Sequence, residues 1–230
     1  MAATASKLAR TPKPKKSARQ TVSEPYVLPQ WCFDGIRAGF GPLSRLLWRI
    51  SLRGAENVPL TGGLIIAANH QTYLDPFWIA LKAPRPQRYL AWDEAFSWPV
   101  VGPALSALGA WPLSLETVDP GPIRRALKWL RNDGALVIFP EGGRCVSDGA
   151  LARFKSGAVR LALQARVPIL PVTISGAHRV WPRDYSFPRL HKISLTYHPL
   201  MFPQPRAGEN AHTCAVRETT RLERIIASAL

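Results

Sequence analysis

Leu64-Ile65-Ile66-Ala67-Ala68-Asn69-His70-Gln71-Thr72-Tyr73-Leu74-Asp75-Pro76 decides the fold. Five apolar residues in a row read as a strand. A polar segment opens at its end, with a histidine, a carboxylate five positions later, and a proline suited to the first turn of a helix. A second stretch repeats the plan: Ala135-Leu136-Val137-Ile138-Phe139 runs into Pro140-Glu141-Gly142-Gly143-Arg144. In open α/β sheets ligands bind outside the carboxyl ends of the strands. Both polar segments therefore fall on the edge where chemistry is expected.

Outward from these two stretches the chain alternates. The patterns predict strands over 64–68, 87–91, 110–115, 135–139, 169–174 and 193–197. Helices are predicted over 76–82, up to 108, and over 123–132, 155–166 and 216–229. Strands separated by helices imply an α/β fold: a mixed, largely parallel sheet flanked by helices. No internal repeat is present. Ahead of the sheet, residues 31–50 carry Trp31, Phe33, Phe40, Leu47 and Trp48 among Arg37, Arg45 and Arg49. Gly39, Gly41 and Pro42 interrupt that run, which predicts an N-terminal amphipathic segment of two short helices set at an angle. Residues 1–24 read as a disordered basic tail and 25–230 as a single domain.

The net charge is +15 over 230 residues, and Lys7, Arg10, Lys13, Lys15, Lys16 and Arg19 place six of the positive charges at the start with no acid among them. Such a surface seeks polyanions: nucleic acid, anionic lipid or a phosphorylated substrate. Cys32, Cys145 and Cys214 are too few and too scattered for a disulfide framework or a zinc site. No metal or cofactor is expected. No run of eighteen apolar residues appears, and the start lacks the apolar stretch of a secretory signal.

A histidine with a carboxylate partner is the minimal apparatus of a general base. The carboxylate fixes the imidazole tautomer and favours the imidazolium formed when His70 takes a proton. A spacing of five needs a turn between them, and a strand-to-helix junction supplies one. Two other readings stay open: Asp75 as the cap of a helix beginning at Pro76, and His70 as a core histidine. In the second stretch, Gly142 and Gly143 let backbone amides approach an anion, and Arg144 offers a planar fork for phosphate. Arg153 and Lys155 follow closely.

His70-x4-Asp75, Phe139-Pro140-Glu141-Gly142-Gly143-Arg144 and Val167-Pro168-Ile169-Leu170-Pro171-Val172 resemble, in order and spacing, the motifs of the 1-acylglycerol-3-phosphate acyltransferase family. Gly54-Ala55-Glu56-Asn57-Val58-Pro59 and Phe154-Lys155-Ser156-Gly157-Ala158 look like that family too, so the resemblance covers about residues 48 to 200. It implies acyl transfer from acyl-CoA or acyl-carrier protein to the hydroxyl of a lysophospholipid, in phospholipid biosynthesis. Carried over by position, His70 is the base and Asp75 its orienting partner. Glu141, Gly142, Gly143, Arg144 and Lys155 belong to substrate binding.

Two positions depart from the family pattern. Gly143 stands where the family often has Thr. The stretch Gly109-Ala110-Trp111-Pro112-Leu113-Ser114-Leu115-Glu116 lacks the Arg that usually helps hold the acceptor phosphate. That absence leaves room for a different acceptor, such as a lyso-aminolipid. The absence of a Gly-x-Ser-x-Gly elbow agrees with direct transfer and no acyl-enzyme. Backbone amides at Gly142-Gly143 are the expected source of an oxyanion hole.

The expected partners are an acyl thioester, a lysophospholipid and an anionic membrane surface, with the protein peripheral at the cytoplasmic face. A rival is a non-catalytic basic protein that binds lipid or nucleic acid. The tail favours it, but the body holds no zinc-finger spacing, ribonucleoprotein motif or Walker loop, so no specific nucleic acid is expected.

Overall fold

The computed structural model describes residues 27–114, 120–144, 149–182 and 185–230; the basic tail lies outside them. Seven strands form one sheet: β1 (Ser51–Arg53), β2 (Leu64–Ala68), β3 (Gln87–Trp92), β4 (Ala110–Leu113), β5 (Ala135–Ile138), β6 (Ile169–Ser175) and β7 (Ser194–Tyr197). Their order is β1-β7-β6-β2-β5-β3-β4. Every pairing is parallel except β6 with β7. The helices are α1 (Gln30–Trp48), α2 (Asp75–Ala80), α3 (Val101–Ala107), α4 (Pro120–Arg131), α5 (Gly157–Ala165), the single turn α6 (Ala177–Val180) and α7 (Ala211–Ala227). The expected mixed, largely parallel α/β sheet is what forms.

β2 lies at the centre and is buried along its whole length. Leu64, Ile66 and Ala68 face a layer with Trp48, Trp78, Ile79 and Tyr197. Ile65 and Ala67 face a second layer, with Leu127 and Leu130 of α4, Val159 and Leu161 of α5, and Leu222 and Ile226 of α7. Burial on both faces explains why β2 reads as unbroken hydrophobicity where a half-exposed strand would alternate. At the opposite end of the sheet from the His70 segment, the buried Arg85 guanidinium donates to the carbonyls of Pro59, Thr61, Gly62 and Asp133. It ties the entries to β2 and β5 together.

The structure corrects the expected pair of angled helices: α1 is one helix with Pro42 inside it. Pro42 removes one N–H and crowds one carbonyl, while Gly39 and Gly41 bring no side chain to the strained turn. Tertiary packing outweighs that cost. The Phe40 ring lies 6.0 Å from Trp48 and 5.7 Å from Phe77, and Trp48 meets Trp78 edge-on at 5.6 Å. The Trp48 indole N–H donates to the Arg189 carbonyl at 3.0 Å.

This packing also decides which apolar residues of α1 stay exposed. Trp48 is buried, and Phe40 and Leu47 pack on the same core. The outward face of α1 carries Trp31 (73% exposed), Ile36, Leu43 and Leu46 (78%). No helix among the described residues is long and apolar enough to cross a membrane.

Smaller differences have local causes. α5 starts at Gly157, two residues later than expected, because the Lys155 N–H is held by the Pro140 carbonyl at 2.8 Å. α7 starts five residues early, where the Asn210 side chain accepts the Thr213 N–H at 2.9 Å. β1 and α6 are too short to leave a periodic signal.

Candidate active site

β2 and β5 are parallel neighbours, with Ala67 opposite Ile138. Their carboxyl ends therefore release the His70 and Glu141 segments side by side. The chain leaves β5 through α5 and returns on the other side of β2 as β6, which makes this edge a topological switch point. Asn69 fixes the exit from β2. Its buried amide donates to the Ile174 carbonyl and accepts the Ile174 N–H, both at 2.8 Å. Sequence reasoning missed this lock, although an Asn directly after a fully apolar strand was its visible sign.

His70 and Asp75 come together as expected, with Nδ1 2.8 Å from Oδ2. The Asp75 carboxylate is completely buried. Oδ2 also accepts the N–H of Gln71 at 2.6 Å and of Thr72 at 2.8 Å, and Oδ1 accepts the Thr72 hydroxyl at 2.9 Å. Asp75 therefore faces back into the loop, and no side-chain cap bond is made at the start of α2. The cap reading is replaced by one in which Asp75 organises the histidine loop. Surrounded by donors, the carboxylate requires a proton on Nδ1, so neutral His70 presents Nε2 as a lone-pair acceptor. The Phe139 ring stacks on the imidazole at 4.0 Å and 19°, which fixes its plane.

Glu141 supports the same loop from below. Oε1 accepts the His70 N–H at 2.7 Å and Oε2 accepts the Ala152 N–H at 2.8 Å. Burial pushes its carboxyl above the ordinary value of 4.5, and the two backbone N–H donors pull the other way. Both oxygens are thus occupied by the protein itself. Gly142 has φ +75, and a Cβ there would lie 2.6 Å from the Lys155 ammonium. Its N–H donates to the Phe139 carbonyl at 3.0 Å, so that amide is not the oxyanion donor expected of it. Gly143 has open space around it.

The Arg144 guanidinium lies over the Tyr73 ring, its Cζ 3.6 Å from the centroid, and Nη2 donates to the Tyr73 hydroxyl at 2.8 Å. Tyr73 meets Trp181 edge-on at 5.8 Å. Tyr73 and Trp181 were not singled out in the sequence, yet they hold the arginine at the mouth of the site. Gln71 closes one flank, its amide donating to the Gly149 carbonyl at 3.4 Å and accepting the His178 N–H at 3.1 Å. The stretch where the acceptor arginine is missing ends, after β4, in residues 115–119, outside the described chain. Among the described residues no group of three or more His, Cys, Asp or Glu side chains is placed to hold a metal.

The sequence profile of the family described as Acyltransferase matches residues 49–175, which include both strand ends and the whole of β6. The chain belongs to the acyltransferase family. Among curated relatives, the chloroplastic 1-acyl-sn-glycerol-3-phosphate acyltransferase LPAT1 of Arabidopsis thaliana is 29% identical over 175 residues, 70% of this chain and 47% of its own. The 1-acyl-sn-glycerol-3-phosphate acyltransferase of Bacillus subtilis is 31% identical over 134 residues, 55% of this chain and 66% of its own. The chain spans about half the length of the plant relatives. The crystal structure of the 1-acyl-sn-glycerophosphate acyltransferase of Thermotoga maritima superposes with a TM-score of 0.71 at 24% identity, covering 87% of this chain and 78% of that one. This family member shares that acyltransferase's fold.

Proposed function

We propose that the protein transfers a fatty acyl group from a thioester, acyl-CoA or acyl-carrier protein, to the free hydroxyl of a lysophospholipid such as 1-acylglycerol-3-phosphate. The observation that carries this reading is the His70–Asp75 pair. One imidazole nitrogen is held by a buried carboxylate and the other is left to accept a proton at the ligand-binding edge of the sheet. Nε2 takes the acceptor's hydroxyl proton as its oxygen attacks the thioester carbonyl. The new C–O bond forms, the C–S bond breaks, and the proton passes from the imidazolium to the departing thiolate. Asp75 stabilises the transient imidazolium. Arg144, presented by Tyr73, and Lys155, crossing Gly142, supply positive charge for the acceptor phosphate, while Glu141 acts by holding the peptide of His70. The missing arginine after Gly109 favours a second reading, in which the acceptor is a different lysolipid, such as a lyso-aminolipid.

The acceptor is an amphiphile, so the protein works at an anionic membrane surface, peripheral and on the cytoplasmic face. The outward face of α1 supplies apolar contact there and the basic tail supplies attraction of ~1 kcal/mol per charge. Purified protein given acyl-CoA or acyl-carrier protein with a panel of lysolipids tests the reading. Acylation of a phosphate-bearing lysolipid is expected, abolished by His70→Ala with the fold intact. No turnover on any lysolipid would refute it.

A further inference from the structure

A second feature sits on the catalytic edge beside the site. Between the end of β6 and the start of β7, where Ser175 pairs with Ser194, lies a cleft of about 320 Å³ walled by His178, Arg179, His191 and Lys192. Its floor is Gly176, with φ +84; a Cβ there would lie 2.4 Å from the Lys192 carbonyl. The cleft adjoins the histidine loop, because the His178 N–H donates to the Gln71 side chain. Among the described residues neither Arg179 nor Lys192 is ion-paired to a carboxylate. On the chain between its two walls, Phe187 (81% exposed) and Leu190 (74%) project into solvent.

The described part of that excursion is braced. The Arg189 N–H donates to Val180, its carbonyl accepts from Trp48, its guanidinium lies 3.5 Å over the Tyr185 ring, and the Trp181 indole donates to the Tyr185 carbonyl. A braced loop that holds two large apolar side chains in water beside a cationic cleft has the composition of a bilayer contact. The apolar tips match acyl chains and the cations match headgroup phosphates.

We propose that this cleft and loop dock the protein on an anionic bilayer, with a lipid phosphate held by Arg179 and Lys192 while Phe187 and Leu190 enter the acyl layer. The occupant is a bilayer because the acceptor must pass from one to His70, a step that rests on the lysolipid reading above. Docking through β6–β7 places the histidine loop, one strand away, against the lipid from which that acceptor comes.

The full chain is sedimented with phosphatidylcholine vesicles, with or without phosphatidylglycerol. Its turnover is measured separately on a short-chain lysophosphatidate below its micellar concentration. Phe187→Ser with Leu190→Ser should lower vesicle partition about tenfold or more, at low salt and at ~1 M salt alike, because apolar burial is not screened. Its turnover on the soluble acceptor should match the parent's. Arg179→Ala with Lys192→Ala should lose several-fold of the preference for phosphatidylglycerol, and Arg179→Lys with Lys192→Arg should keep it.

Unchanged partition of the Phe187/Leu190 variant would overturn the proposal. So would a rise in donor KM for the Arg179/Lys192 variant with unchanged sedimentation, which would assign the cleft to the donor's phosphates. If the parent acylates no lysolipid, the acyltransferase reading falls, and the sedimentation results still decide the docking.

Discussion

Asp75→Asn removes one negative charge from beside the imidazole and little else. The oxygen Oδ2 accepts three N–H groups, from His70, Gln71 and Thr72. An amide oxygen in that place keeps all three and preserves the tautomer. The new amide nitrogen meets the Thr72 hydroxyl, which can turn to accept. Four charge-assisted bonds become neutral ones at about 1 kcal/mol each, so the loss of stability is at most ~4 kcal/mol. Chemistry suffers through a different term. In the proposed mechanism His70 is cationic at the transition state, and a charge pair ~4 Å apart in an effective dielectric of ~20 is worth about 4 kcal/mol.

The amide dipole recovers part of that, so turnover should fall roughly 10²–10³-fold, with the acceptor KM within about threefold of the parent's. Initial rates over both substrates, with a thermal melt to certify the fold, measure this. In a His70→Ala background the same substitution should cost nothing more, since there is no imidazolium left to stabilise. Turnover of folded Asp75→Asn within about threefold of the parent, or a full further loss in the His70→Ala background, would refute the pairing as the source of catalysis.

Glu141→Gln sets an amide N–H₂ against one of two backbone N–H donors and should cost ~1–3 kcal/mol. Because burial raises the Glu141 carboxyl above 4.5, its contribution to stability is complete below that value and is lost as pH rises through the shifted one. Parent melting temperature should therefore fall relative to the variant as pH rises from about 4.5, and parallel curves would contradict this. Gly142→Ala combines φ +75 with displacement of the Lys155 ammonium; it should cost ~1–2 kcal/mol and raise the acceptor KM, whereas Gly143→Thr, with open space around it, should do little to melting temperature. Tyr73→Ala should raise the acceptor KM much as Arg144→Ala does, with Tyr73→Phe intermediate. The double variant should be no worse than Arg144→Ala alone; full additivity would show that Tyr73 does not act through Arg144.

The central strands were legible because their burial is complete. β2 and β5 are unbroken apolar runs, and their polar exits carry the residues that the fold brings together. α1 was less legible, since a proline and two glycines argue locally for a break and only the packing of Phe40 and Trp48 overrides them. Which face of α1 meets water was not legible for the same reason: arginines bracket the buried side as well as the exposed one. At the site, residue types could be read but not directions. That Glu141 spends both oxygens on backbone and that Tyr73 carries Arg144 depend on contacts between segments up to 71 residues apart, and that Asp75 turns back on its own loop is a local direction that residue type does not encode.

The strand order has a further consequence. His70, the buried Asp75 carboxylate, the Glu141 brace on the His70 peptide and the Asn69 lock are all carried by the exits of β2 and β5 and by β6, three adjacent strands in the middle of the sheet. The outer strands β1, β7, β3 and β4 supply none of them. Loops attached to those margins are free to lengthen, shorten or change composition without moving the imidazole. On the proposed reading, Arg144 and Lys155 keep the phosphate contacts beside the central strands, and grafting marginal loops between relatives should change the preference for the rest of the acceptor while leaving those contacts in place.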